Sequence, residues 1–212
     1  MVVLHHTAMQ TCDAALRRLR DPASEVSSHY LIGEPGEVFA LVDEENRAWH
    51  AGAGRWGGVS DVNSHSVGIE IANSGPLEGW PPYPEPQMAA LVTLLGDILA
   101  RHEIRAERVI AHSDMAPARK SDPGPKFDWR RLARAGLAVW PDDGSPIRPD
   151  QAAFSRCCAG IGYDLSVGDE LVLAAFRLRF HPQATGPLNA GDMALAVQAE
   201  RSFPVDVAFA DP

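Results

Sequence analysis

Apolar positions in the first two thirds of the chain alternate between short strand-like runs and helical stripes. Met1 to His5 is a short apolar run sized for a buried strand, and Thr11 to Arg20 follows with Cys12, Ala15, Leu16 and Leu19 at helical spacing. Ser28 to Ile32 and Glu37 to Asp43 flank the turn formed by Gly33, Glu34, Pro35 and Gly36, which predicts a hairpin. Between Ser66 and Asn73, the residues Val67, Ile69 and Ile71 fall on one face and Gly68, Glu70 and Ala72 on the other, so this strand carries a carboxylate on its second face. Pro86 to His102 aligns Met88, Leu91, Val92, Leu95, Ile98 and Leu99 on one stripe. A proline in its first turn and Arg101 and His102 at its carboxyl end suit the backbone and dipole of a helix. Arg108 to His112 reads as a further short strand, and Phe127 to Ala135 as a helix ended by Gly136. Strands interleaved with helices predict an α/β fold, a central mixed β-sheet flanked by helices.

From Trp140 to Pro149 turn formers crowd together and neither period survives. The chain therefore divides into a first domain over 1–141, a linker over 142–150 and a small all-α domain over 151–212. In the last, Phe154 to Tyr163, Leu171 to Phe180 and Met193 to Phe203 read as amphipathic helices, with Leu171, Ala174, Ala175 and Leu178 at helical spacing.

Composition narrows the functional classes. With 28 acidic and 19 basic residues the net charge is −9, which repels nucleic-acid phosphates and argues against a nucleic-acid partner. Three cysteines, two of them the neighbours Cys157 and Cys158, give no disulfide framework. No run of about 18 apolar residues offers a membrane span, and the first residues lack the charged-then-apolar layout of a signal segment, which favours a cytoplasmic setting. Neither a Gly-x-Ser-x-Gly elbow nor a glycine-rich phosphate cradle is present, so serine-nucleophile and nucleotide chemistry fall away. Oligomeric state is not readable.

Of eight histidines, His102 at a helix end and His181 before Pro182 read as solvated, His65 as solvent-facing, and His29 as a hydrogen-bonded structural residue. His5 and His112 differ because each closes a short apolar strand, and strand ends are where α/β folds place chemistry. Asp122 stands ten residues after His112, in a loop pinned by prolines and a glycine that can return a carboxylate to the strand it left. Two imidazoles and a carboxylate suit Zn2+ and leave a fourth position for water. With no His-Glu-x-x-His or paired Cys-x-x-Cys signature, spacing alone leaves the metal open.

Glu70, between small Gly68 and Ala72, is the natural general base, or else an ordinary solvent-facing strand glutamate. Lys120 could steady a developing oxyanion, or be a solvated loop charge. The stretch Ala48 to Gly52 offers a cleft wall in which Trp49 stacks on a sugar or peptide face; the alternative is a buried tryptophan anchoring a loop.

Five ordered blocks over residues 1 to 141 resemble the zinc-dependent N-acetylmuramoyl-L-alanine amidases, relatives of phage lysozyme-type amidases and peptidoglycan-recognition proteins. The blocks are Val3 to Ala8, Val26 to Ile32, Arg47 to Gly52, Asn63 to Ile71 and Ala111 to Pro125. The resemblance implies His5, His112 and Asp122 as zinc ligands, with His6 facing away. It implies Glu70 as the base acting on water and Lys120 as the oxyanion-stabilising group; in the cleft wall read above from the residues themselves, Trp49, His50 and Ala51 are the candidate substrate-binding positions. Some relatives carry a tyrosine where this chain has Ser28. The implied reaction is cleavage of the amide between N-acetylmuramic acid and L-alanine in peptidoglycan or soluble muropeptides. The alternatives are a non-catalytic protein holding muropeptides in the same groove and a zinc peptidase cutting within the peptide. The tail is similar to the three-helix peptidoglycan-binding domain of some relatives, although the usual Asp-Gly turns are largely missing. A wall-binding tail favours the cell envelope, against the cytoplasmic pointer of the N-terminus.

Overall fold

The computed structural model describes residues 1–205. The expected tail domain ran to 212; its positions 206–212 lie outside the described residues. Five strands form one sheet: β1 (Val2–His6), β2 (Tyr30–Ile32), β3 (Val38–Ala40), β4 (Val67–Ile71) and β5 (Val109–Ala111), in the order β3-β2-β4-β1-β5. β2, β4, β1 and β5 run parallel and β3 pairs antiparallel to β2, so the sheet is mixed as the alternation of elements predicts. The hairpin is shorter than its apolar pattern, and His29 precedes the strand rather than lying in it.

One face of the sheet is closed by α2 (Glu85–Arg101). Val2, Leu4, Ile69 and Ile71 meet Met88, Leu91, Leu95 and Ile98 there, all nearly or fully buried. Gln87 lies on the same helix with no solvent exposure. Its Nε2 donates to the Ile32 and Ala72 carbonyls at 3.1 and 2.8 Å, tying the helix to the ends of β2 and β4. α1 (Cys12–Arg20) is capped by Thr11, whose Oγ1 accepts from Ala14 N. α4 (Trp129–Arg134) starts later than its sequence pattern because Asp128 caps it, accepting from Arg131 N at 3.0 Å.

The other face carries Val3, Ile110, His5, Gly68 and Glu70, following the period-two alternation of the strands. Its lower part is covered by the tail helices α5 (Gln151–Gly160), α6 (Asp169–Phe180) and α7 (Ala190–Ser202). Val3 and Ile110 belong to the same apolar cluster as Phe154, Ile161, Val172, Phe176 and Ala196, so the tail and the sheet share one core. The stretch expected as a linker, 142–150, contains no helix or strand.

The buried stripe of α6 is not the one its leucines suggest. Val172, Ala175, Phe176 and Arg179 point inward, whereas Leu171 is 38% exposed. Arg179 is itself only 2% exposed: its guanidinium lies over the Trp129 ring at 4.3 Å and donates to Asp114 Oδ2 at 2.6 Å and to the Val109 carbonyl at 3.1 Å. Tyr163 OH donates to the other Asp114 oxygen at 2.6 Å. Asp114 sits in α3 (His112–Met115), a single turn that leaves β5, and also accepts from Ala111 N at 2.8 Å. The tail thus clamps the turn that begins with His112.

Candidate metal centre

The first ligand candidates meet at the carboxyl ends of the parallel strands. β1 delivers His5, the turn after β5 delivers His112, and the loop from Ala116 back to Phe127 returns Asp122, whose carbonyl accepts from Ser113 N at 3.0 Å. His5 Nδ1 lies 2.8 Å from His112 Nδ1. Asp122 Oδ2 lies 3.1 Å from the first and 2.9 Å from the second. All three residues are buried.

This triangle fits a cation. His112 Nε2 stands 2.9 Å from the Ala51 carbonyl, which can only accept, so Nε2 carries a proton and Nδ1 is the nitrogen left to a ligand on the inner side. Burial, aided by neighbouring His112, pushes His5 down to about 4, so its ring is neutral at ordinary pH. Burial alone would raise Asp122; the two histidines outweigh it and keep the carboxylate ionised. Two imidazole nitrogens and a carboxylate therefore face one point, and His5, His112 and Asp122 form a cluster able to hold a metal ion.

Glu70 stands beside it. Its strand register pairs it with His5 on β1, so both side chains leave the same face of the sheet. It is not a solvated strand glutamate: Oε2 is shut off from solvent and has no hydrogen-bond partner. Burial first, then the negative charge of Asp122, raises its carboxyl well above the usual range, with Lys120 opposing. Lys120 is exposed and lines the same cleft, which has a volume of about 530 Å3. A larger groove of about 690 Å3, between α4 and the tail, lies away from these groups.

The segment 48–52 divides its roles. Trp49 is 57% exposed on the cleft, with the Arg47 guanidinium 4.4 Å over its ring. His50 and Ala51 are buried, pinned by Asn63 Oδ1, which accepts from both of their backbone N–H groups at 3.1 and 2.8 Å. His50 still reaches the cleft lining; Ala51 does not, and offers its carbonyl to His112 and to Arg119 Nη2. Arg119 also donates to the Ala53 carbonyl.

The remaining histidines sort by their partners. His6 turns to the opposite side of β1, its ring 5.5 Å from that of Trp80 and both nitrogens unpartnered. His29 is structural, its Nδ1 accepting from Gly68 N at 2.9 Å and its Nε2 3.1 Å from the Asn46 carbonyl. His65 is exposed. His102 and His181 are not simply solvated: each meets a carboxylate, Glu44 at 2.5 Å and Asp192 at 2.8 Å. Asn63, Ser66, Asp114 and Arg119 were not singled out from the sequence, although all four lie within its motif blocks.

Residues 1–125 match the family described as N-acetylmuramoyl-L-alanine amidase. N-acetylmuramoyl-L-alanine amidase AmiD of Escherichia coli is 36% identical over 225 residues, covering 92% of this chain and 80% of that protein. The solved complex of E. coli AmiD with anhydro-N-acetylmuramic acid-L-Ala-D-γ-Glu-L-Lys superposes with a TM-score of 0.86 at 35% identity, over 95% of this chain and 89% of that one. The 1,6-anhydro-N-acetylmuramyl-L-alanine amidase AmpD of Enterobacter cloacae is 39% identical over 107 residues, half of this chain and 55% of that protein. By fold and kinship this chain is an amide hydrolase. It belongs to the N-acetylmuramoyl-L-alanine amidase family.

Proposed function

We propose that this enzyme uses Zn2+, held by His5, His112 and Asp122, to hydrolyse the amide between the lactyl group of N-acetylmuramic acid and the L-alanine of a muropeptide. The observation that carries the proposal is the convergence of three lone-pair donors beside a half-buried carboxylate whose Oε2 is shut off from solvent and unpartnered, in one cleft. Such an ion supplies carbonyl polarisation and a more acidic water. Its donor set, two imidazoles and a carboxylate, is that of hydrolytic zinc sites with an open position.

Glu70 takes the proton of the attacking water and returns it to the leaving amine nitrogen of L-alanine. Its raised proton affinity suits both halves of that task. Lys120 brings an ammonium to the oxygen that becomes negative as the carbonyl turns tetrahedral. Trp49 offers an exposed face to sugar or peptide, and the burial of Ala51 leaves it the role of orienting His112 rather than touching substrate.

The ligand named in the AmiD complex supports a soluble anhydro-muropeptide as substrate. Residues 1–141 carry the chemistry, and the tail from 151 onward supports it by packing. Among the described residues no helix is long and apolar enough to cross a membrane. The test is digestion of purified sacculi and of a defined anhydro-muropeptide, with and without chelator, followed by mass spectrometry. Release of intact stem peptide, abolished by chelation and restored by Zn2+, is expected. Cleavage within the peptide, or activity indifferent to chelation, overturns the proposal. The preferred substrate separates the cytoplasmic from the envelope role.

A further inference from the structure

His50 stands edge-on to His5, ring centroids 5.0 Å apart, with its Nδ1 2.9 Å from His5 Nε2. One of these two nitrogens carries the proton between them. Which one is decided at the far side of the His50 ring. Ser66 Oγ lies 2.6 Å from the Val62 carbonyl and 3.3 Å from His50 Nε2. A hydroxyl has one hydrogen, a carbonyl can only accept, and the shorter contact takes it. Ser66 therefore meets His50 as an acceptor, and His50 bears its proton on Nε2. Its Nδ1 is bare and accepts from His5 Nε2–H. The inner nitrogen of His5 is left with a lone pair aimed at His112 Nδ1 and Asp122 Oδ2.

We propose that this relay, running from Val62 O through Ser66 and His50, fixes the tautomer and ring orientation of His5, so that His50 is a positioning residue of the metal centre. The inference rests on the reading of His5 as a ligand. The arrangement has a counterpart one residue later, where the Ala51 carbonyl sets the tautomer of His112. Consecutive residues thus orient the two imidazole ligands, and Asn63 holds both through one oxygen. The sheet makes room for the relay. A Cβ on Gly68 would lie 2.4 Å from His50 Cγ, so the small residue beside Glu70 accommodates this ring. Orienting partners of this kind are worth roughly 10- to 100-fold in metal affinity.

The experiment uses the full chain and compares wild type with His50→Leu, His50→Asn and Ser66→Ala. Zn2+ affinity is measured by competition with a chromophoric chelator at a temperature where each variant is folded by circular dichroism. Long-range 1H–15N spectra of the metal-free imidazoles report the tautomer of His5. His50→Leu is expected to weaken Zn2+ binding by about 10- to 100-fold and to mix the His5 tautomers. The Asn side chain puts an acceptor oxygen near the place of Nδ1, so His50→Asn is expected to recover most of the loss. Ser66→Ala is expected to weaken binding by a smaller factor in the same direction.

Unchanged affinity and an unchanged His5 tautomer in folded His50→Leu would overturn the relay, as would a His50→Asn variant as weak as His50→Leu. Should His50→Leu fail to fold, Ser66→Ala and His50→Asn decide by the same readouts. A rise in KM with Zn2+ affinity intact would instead make His50 a substrate contact. Wild type that binds no Zn2+ overturns the metal reading itself, and the relay with it.

Discussion

His5 and Glu70 occupy the same rung of two neighbouring parallel strands. Because side chains of paired residues leave a sheet on the same side, a two-strand ladder is enough to set a carboxylate beside an imidazole without any loop. The base and the first ligand are therefore as rigidly related as the sheet core beneath them.

That rigidity gives the first prediction. Glu70→Gln keeps the shape of the side chain and removes its proton acceptance. Zn2+ binding is expected to persist while kcat falls by about 10^2- to 10^4-fold. Stopped-time assays of stem-peptide release, with metal content checked on the same samples, test it. Turnover near wild type would remove Glu70 from the reaction.

The second concerns its titration. In metal-free protein, burial and the Asp122 charge hold the Glu70 carboxyl well above the ordinary range. A nearby cation favours the charged form, so loading with Zn2+ is expected to move the titration down. Side-chain 13C spectra over a pH series, with Glu70→Gln identifying the resonance, measure the direction. An upward or absent displacement contradicts it.

Arg179 supplies the third. The Arg179–Asp114 pair is buried on both sides, at 1% and 0% side-chain exposure, and removing one partner strands the other charge. Arg179→Met is expected to destabilise the fold by about 3–5 kcal/mol. Adding Asp114→Asn to it restores part of that loss. Urea unfolding midpoints of the single and double variants give the comparison.

A fourth prediction concerns acid stability. Glu44 accepts from Arg101, Tyr30 and His102, and the Arg101 hydrogen bonds first of all lower its carboxyl to about 2. A depressed carboxylate stabilises fully above its unfolded value near 4.5, and the contribution is lost as pH falls from there toward 2. Arg101 is 48% exposed, so about 1 kcal/mol is expected after screening. Melting temperatures of Glu44→Gln and wild type should differ at pH 6 and converge near pH 2.

The strands that bear the site were legible because their apolar residues alternate cleanly and their ends carry the unusual groups. His5, His112 and Asp122 stood out for that reason, and Glu70 by its place between two small residues. The inward turn of His50 was not legible. It depends on the space above Gly68 and on Asn63, thirteen residues along the chain. The partners of His102 and His181 were hidden in the same way, since Glu44 is 58 residues from the histidine it holds. On α6 the apolar count favoured the leucines, because an arginine in the inward stripe reads as a solvent-facing charge until Asp114 and Trp129 are seen around it.

The core shared by the sheet and the last three helices has a practical consequence for anyone wishing to recombine this enzyme. A cut in the helix-free stretch 142–150 would peel the covering from Val3 and Ile110 and leave Asp114 without Tyr163 and Arg179. The helices are therefore no detachable cassette: grafting another targeting module in their place would first require rebuilding the wall behind His112.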